Sequence, residues 1–292
     1  MYYIRMNAYA KINIGLDVIN RRDDGYHNVS MIMQSVNLYD NLTISKNSSN
    51  KIIVRTNLPY LPTDKKNLVY SAAHLFKEVT GIKSGLLITL KKRIPVAAGL
   101  AGGSTDAAAT LMGLNKLFNA GMTKDELSKL GVKLGADVPY CLMMGTALSE
   151  GIGDKLSPLP PMPKCHILLV KPNINVSTKF VYENLKLDDS TIHPNISLMQ
   201  KAIESQNLLE LTKHMGNLLE TVTINHYPII NNIKDKMVEL GAMTSLMSGS
   251  GPTVFGIFNN YKTAKDAFQY FRTSYQKYQV FLTKPYYPIN HN

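Results

Sequence analysis

The chain has 292 residues, 45% hydrophobic and 18% charged, a globular balance that excludes a disordered or fibrous protein and leaves room for two domains or one large one. No apolar run approaches the ~18 residues of a membrane span, the opening "MYYIRMNAYAKINIGL" lacks the order of a signal peptide, and two cysteines, Cys141 and Cys165, imply no disulfide framework, so a cytoplasmic protein is expected. The formal charge of +11 suits nucleic acid or a highly anionic small molecule; the scattered basic residues, with Lys91-Lys92-Arg93 the longest run and no aromatic residues interleaved, favour the small molecule.

Residues 2–19 alternate apolar and polar and read as a strand or pair of strands, followed by an Asp24-Gly25 turn. "VSMIMQSVNLYDNLTISK" and "NKIIVRT" read as further strands. Leu68, Ala72, Leu75, Phe76 and Val79 recur at helical spacing and stop at Gly81. "GLLITLKKRIP" is a strand leading into a stretch of small residues, then a helix from about Thr105 to Phe118. Thr123, with Glu126 three residues on, opens another helix through a capping box. Pro158, Pro160, Pro161 and Pro163 exclude a helix or a central strand and mark the expected domain junction. Beyond it come the strand "CHILLVKP", helices around "LMQKAIES", "LLELTKHMGNLLETVTI" and "IINNIKDKMVELG", the strand "GPTVFGIF" and the helix "TAKDAFQYFRTSYQ". Both halves are therefore expected to be α+β.

The segment "IPVAAGLAGGSTDAAATLMGLNKLF" is almost bare of side chains before its helix begins. Gly99, Gly102 and Gly103 permit close backbone approach, and Ala97, Ala98 and Ala101 keep bulk away. Ser104 and Thr105 add hydroxyls where a helix start offers N–H groups and positive potential. Such an arrangement suits a phosphate; a tight turn before an Ala-rich helix packed on a sheet is the competing reading. There is neither a G-K-[ST] ending nor a G-x-G-x-x-G fingerprint, so any phosphate site belongs to another fold.

"PVAAGLAGGSTDAAA" resembles the central motif of the GHMP kinases, named for galactokinase, homoserine kinase, mevalonate kinase and phosphomevalonate kinase. "AYAKINIGLDV" resembles their N-terminal motif and "LMSGSGPTVFGIF" their C-terminal glycine motif. The resemblance implies a two-domain α+β protein, residues 1–160 like the second domain of ribosomal protein S5 and residues 161–292 a ferredoxin-like α+β sandwich, with the site between them. "RRDDGYHNV" and "LGADVPYCL" resemble the branch whose acceptor is a cytidine-diphosphate-linked methylerythritol, on the non-mevalonate route to isoprenoid precursors. ATP and Mg²⁺ are the implied cofactors. Ala97 and Ala98 stand where some relatives carry glycine.

Carried over by motif, Lys11 and Asp137 are the catalytic pair: the carboxylate takes or orients the acceptor hydroxyl's proton, and the cation holds it ionised and stabilises developing charge. Lys11 and Asn13 lie two apart on a strand and share a face, so Asn13 is placed for the acceptor, with Ile12 and Ile14 toward the core. Tyr26 and His27 match a cytosine-contacting pair, and Tyr182, with Phe180 as rival, the aromatic residue on the other side of the base. The ATP loop is Pro95, Val96, Ala97, Ala98, Gly99, Leu100, Ala101, Gly102, Gly103, Ser104 and Thr105, with Asn67 and Lys92 toward the adenosine. Asp106 is expected to cap the helix, with a water-mediated place in the Mg²⁺ shell as alternative. Ser248–Pro252 is expected to help close the site. His74, His166, His193, His214, His226 and His291 are isolated, so no structural metal is expected, and a monomer or homodimer is. The rivals are a GHMP kinase for homoserine or mevalonate, a family member that binds nucleotide without turnover, and a nucleic-acid-binding protein of the same fold.

Overall fold

A computed structural model describes residues 2–288. Strands β1 (Tyr3–Arg21), β2 (His27–Asn47) and β3 (Ile52–Thr56) open the chain, then α1 (Leu68–Thr80) and β4 (Gly85–Lys91). Helices α2 (Gly102–Phe118), α3 (Lys124–Leu134) and α4 (Val138–Met143) follow, then β5 (Thr146–Gly151), β6 (Lys155–Pro158) and β7 (His166–Lys171). Five helices come next: α5 (Thr178–Glu183), α6 (Ile196–Glu204), α7 (Leu208–His214), α8 (Glu220–His226) and α9 (Ile229–Glu239). Strands β8 (Thr244–Met247) and β9 (Val254–Phe258), helix α10 (Tyr261–Ser274) and β10 (Gln279–Thr283) complete the order.

The chain divides into two compact units, neither continuous in sequence. The first holds the start up to Ala10, Leu38–Val96 and Ala101–Met144. Here β2 pairs antiparallel with β4 from Asn41↔Lys91 to Asn47↔Gly85, and β4 pairs parallel with β3. Helix α2 is buried over most of its length. Gly113 lets it approach β2, because a Cβ there would sit 2.6 Å from Ile44 Cδ1. Helices α1, α3 and α4 pack against α2. Asn67 caps the start of α1 and Gly81, at φ 71°, ends it; the Thr123–Glu126 capping box forms at α3. Gly81 and the capping box match the sequence expectation.

The second unit holds Lys11–Asn37, Ala97–Leu100 and Gly145–Asn292. Its stretch of β2 pairs with β5, and β5 with the edge strand β6. Pro158 ends that edge strand, a position where the missing N–H costs little. A separate antiparallel sheet has the order β10-β7-β9-β8, covered by α9 and α10. The segment expected as one helix over residues 208–224 is two, α7 and α8. The break at residues 215–219 brings Gly216 O to the Leu16 N–H at 2.9 Å and frees Asn217 for the contacts described below. No helix among the described residues is long and apolar enough to cross a membrane.

Candidate active site

The loop from Pro95 runs straight into α2, which begins at Gly102, three residues before the expected Thr105. Its N-cap is Ala101, left-handed at φ 55° with no side-chain cap and no acidic residue in the first turn. Ser, Thr, Asp or Asn normally serves there. No side chain therefore caps the first-turn N–H groups at the positive end of the helix. Ala97 is also left-handed, at φ 50°, and Gly99 at φ 72°. A Cβ on Gly99 would lie 2.2 Å from Ser248 O, so only glycine fits. Leu100 O accepts from the Lys11 N–H at 3.2 Å, and Ser248 Oγ donates to Gly99 O at 2.9 Å. The first glycine loop thus rests on β1 and on the second.

Lys11 and Asn13 do share a face of β1. Lys11 Nζ donates to Asn13 Oδ1 at 2.7 Å, and Asn13 Nδ2 reaches Met31 Sδ at 3.1 Å. Both residues are buried, at 6% and 1% exposure, as are Ile12 and Ile14 on the other face. The second glycine loop closes over the polar pair: a Cβ on Gly249 would sit 3.4 Å from Asn13 Oδ1 and 3.8 Å from Lys11 Nζ. Asn217 fixes that loop. Its Nδ2 donates to Met247 O at 2.7 Å and Gly249 O at 2.8 Å, while its Oδ1 accepts from the Leu219 N–H. Thr178 and Ser250 hydroxyls meet at 2.7 Å beside it.

Asp137 stands half-buried at the head of α4 with αR backbone angles, and its side chain makes no cap.

Lys92 and Asp106 meet in the first unit. Lys92 Nζ donates to Asp40 Oδ2 at 2.5 Å and Asp106 Oδ2 at 2.7 Å, with all three side chains under 5% exposed. Burial works to lower the Lys92 pKa, but the attraction of Asp106 and Asp40 outweighs it and raises it. Burial pushes the Asp106 carboxyl well above the usual range, Lys92 opposing and Asp40 adding. The early start of α2 puts Asp106 in its second turn, so it is not the expected cap. Asn67 Oδ1 accepts from the Val69 N–H at 2.9 Å and its Nδ2 donates to Pro62 O at 2.7 Å, so its amide supports α1 and the preceding loop.

The turn before Tyr26 is held by Arg22 on Asp24 and by the Tyr26 N–H on Asp24 Oδ1 at 3.1 Å. Tyr26 is 62% exposed. His27 lies against Tyr182, ring centroids 5.2 Å apart and tilted by 41°. Phe180 instead packs edge-on to His226 at 4.6 Å. Burial, then the Arg21 charge, lowers the His27 pKa, which keeps its imidazole neutral at pH 7.

Residues 67–145 match the GHMP kinases N terminal domain and residues 199–277 the GHMP kinases C terminal domain. The chain belongs to the GHMP kinases. This GHMP kinase is 56% identical over 284 residues to a 4-diphosphocytidyl-2-C-methyl-D-erythritol kinase of Lachnoclostridium phytofermentans, covering 97% of this chain and 98% of that one. It is 47% identical over 281 residues to one of Clostridium perfringens, covering 96% and 98%. A crystal structure of 4-(cytidine 5'-diphospho)-2C-methyl-D-erythritol kinase matches with a TM-score of 0.84 at 31% identity, covering 98% of this chain and 100% of that one. A homoserine kinase from Cytophaga hutchinsonii shares the fold, with a TM-score of 0.80 at 20% identity, covering 96% and 94%. The protein is a small-molecule kinase, and a kinase of this family takes its phosphoryl group from ATP.

Within the second unit the kinase brings Lys11, Asn13, Gly99 and the Ser248–Gly249 turn together, and His27 with Tyr182. Within the first it groups Lys92 with the start of α2. Sequence reading missed Asn217, which stands inside an apparent helix, and Asp40, 52 residues from its partner Lys92. Among the described residues no three His, Cys, Asp or Glu side chains form a group fit to hold a metal ion; His291 lies outside them.

Proposed function

We propose that the chain transfers the γ-phosphoryl group of ATP to the 2-hydroxyl of 4-diphosphocytidyl-2-C-methyl-D-erythritol, giving the 2-phosphate and ADP in the non-mevalonate route to isoprenoid precursors. The acceptor assignment is carried by the His27–Tyr182 ring pair, for which an acceptor without a base has no use. Asp137 takes the proton as the hydroxyl oxygen bonds to phosphorus and the bridging P–O bond to ADP breaks. Lys11 neutralises charge on the transferring group, with Asn13 orienting Lys11 and touching the acceptor. Phosphates lie along Pro95–Thr105 on the uncapped start of α2, with Asn67 and Lys92 toward the adenosine end. Tyr26, His27 and Tyr182 hold the cytosine. A base stacked between His27 and Tyr182 needs their centroids roughly 7 Å apart, so the pair parts when the acceptor binds.

Magnesium enters with the nucleotide. The Ser104 and Thr105 hydroxyls are hard oxygen donors at the anion-binding end of α2, and with phosphate oxygens and water they suit an ion that keeps much of its hydration. Held there, it would neutralise charge on the phosphates. The reading includes a domain boundary near residue 160, a cytoplasmic location, no nucleic-acid partner, and a monomer or homodimer.

The test mixes protein, Mg²⁺ and ATP with the cytidyl acceptor, homoserine, mevalonate or galactose in separate tubes and follows ADP. Turnover with the cytidyl acceptor alone is expected, with a loss on the order of 10²- to 10⁴-fold in Asp137→Asn. Turnover with another acceptor contradicts the cytosine assignment.

A further inference from the structure

We propose that Asp40 and Lys92 are positioning residues for the phosphate-binding loop, tying the chain that enters it to the helix that leaves it; this rests on the kinase reading above. Asp40 is fully buried on β2. Its Oδ1 accepts the N–H groups of Arg93 at 2.5 Å and Ile94 at 2.8 Å, the two residues immediately before Pro95. Its Oδ2 accepts from Lys92 Nζ, which then crosses to Asp106 Oδ2 and lies 3.4 Å from Gly102 O. One buried carboxylate–ammonium–carboxylate chain therefore grips residues 92–94 on one side of the loop and residues 102–106 on the other.

Three features favour positioning over simple cohesion. Burying such a trio is costly, and an apolar trio of similar volume would hold β2 and α2 together as well or better. What the trio adds is direction, because charge-assisted bonds are short and oriented, and here two of them end on backbone N–H groups and so fix the main chain. The ammonium also lies beside the first residue of α2, since a Cβ on Gly102 would be 3.2 Å from Nζ and 3.1 Å from Ile94 Cγ2. Asp106 holds Lys92 by one oxygen only, and its buried Oδ1 has no hydrogen-bond partner. The stronger half of the link is Asp40 to Lys92. The influence of Lys92 on ATP thus passes through the shape of the loop.

The test uses the full chain carrying Lys92→Met/Asp106→Asn, which removes one cation and one anion together, with Asp40→Asn and Lys92→Arg beside it. The readouts are the melting temperature, the calorimetric Kd for a non-hydrolysable ATP analogue without acceptor, and the KM for each substrate. The double variant leaves the Asp40 carboxylate buried without its ammonium partner, so it is expected to melt roughly 6–20 °C below the wild type while remaining folded. Its Kd and its KM for ATP should rise on the order of 10- to 100-fold, with the KM for the acceptor unchanged. Asp40→Asn should raise the same two constants. A folded double variant with wild-type Kd overturns the proposal. So does a changed Mg²⁺ requirement at saturating ATP, which assigns Asp106 to the metal shell. If the double variant does not fold, Lys92→Arg decides: an unchanged melting temperature with a raised Kd supports the proposal, and a wild-type Kd overturns it. Wild-type protein that binds the analogue but phosphorylates no acceptor would sink the kinase reading through a different measurement.

Discussion

Replacing Gly99 by alanine adds one methyl group at the tightest point of the proposed phosphate loop. Its Cβ would lie 2.2 Å from Ser248 O and 3.0 Å from Gly251 O. A carbon needs at least about 3.3 Å from such an oxygen, so the loop and the Ser248–Gly251 turn must separate by about 1 Å. Both contacts are backbone, which leaves no flexible side chain to yield. Alanine at φ 72° also carries roughly 1–2 kcal/mol of strain. A displacement of about 1 Å in a positioning element costs on the order of 100-fold in rate, or about 2.7 kcal/mol of barrier. Gly121→Ala is the matched control, with φ 69° and nothing within 4 Å of the new methyl. Steady-state ADP formation, with thermal melts of both variants, separates the two effects. Gly121→Ala should lose stability alone, and Gly99→Ala should also lose about two orders of magnitude in kcat. Gly99→Ala with kcat within threefold of wild type, in a comparably folded protein, would refute the claim that this approach sets the loop.

Other residues offer independent checks. Tyr182→Ala should raise the KM for the acceptor by roughly 5- to 150-fold, from the ~1–3 kcal/mol of a base–aromatic stack, and leave the KM for ATP alone; Phe180→Ala should leave both near wild type. Asn217→Ala strands Met247 O, Gly249 O and the Leu219 N–H, so a loss of roughly 3 kcal/mol is expected, read as a melting temperature lower by about 6–12 °C. Burial raises the Glu220 pKa above its ordinary 4.5, with Lys234 and the Met247 N–H opposing. The folded state therefore holds that proton above the pH at which the unfolded chain releases it, and stability falls as pH rises from the ordinary value through the folded one. The melting temperature of Glu220→Gln relative to wild type should accordingly climb across that window and then level off; a flat difference contradicts the assignment.

Local signals in the sequence were read well where they act locally. Gly81 and the Thr123–Glu126 box mark helix ends because their chemistry lies within a turn of the end they set, whereas Asn67, read only as a nucleotide contact, also caps α1. Lys11 and Asn13 share a face because a strand alternates. Different parts of the small-residue stretch bear on its two readings: its first turn has no side-chain cap, and Gly113 further on lets α2 close on the sheet. The start of α2 reads late in the sequence because its N-cap, Ala101, gives no capping signal. Asp106 reads as a cap for the same reason. The break between α7 and α8 was invisible because Gly216 and Asn217 answer to β1 and to the second glycine loop, which are remote in sequence. Asp40 and Lys92 illustrate the same limit, since a buried ion pair far apart in the chain leaves no periodic trace. Phe180 and Tyr182 are two apart and stay rivals in the sequence; the turn of α5 puts Tyr182 beside His27 and Phe180 beside His226.

The most direct test of the central claim is where the phosphate lands. The product made from ATP and 4-diphosphocytidyl-2-C-methyl-D-erythritol is examined by proton-coupled phosphorus NMR. The 2-hydroxyl sits on a carbon that bears the methyl group and no hydrogen, so a 2-phosphate must appear as a new monoester singlet beside the unchanged diphosphate signals. A new monoester resonance split by carbinol protons would mean that another hydroxyl is the acceptor, and would contradict the assignment of this chain's reaction.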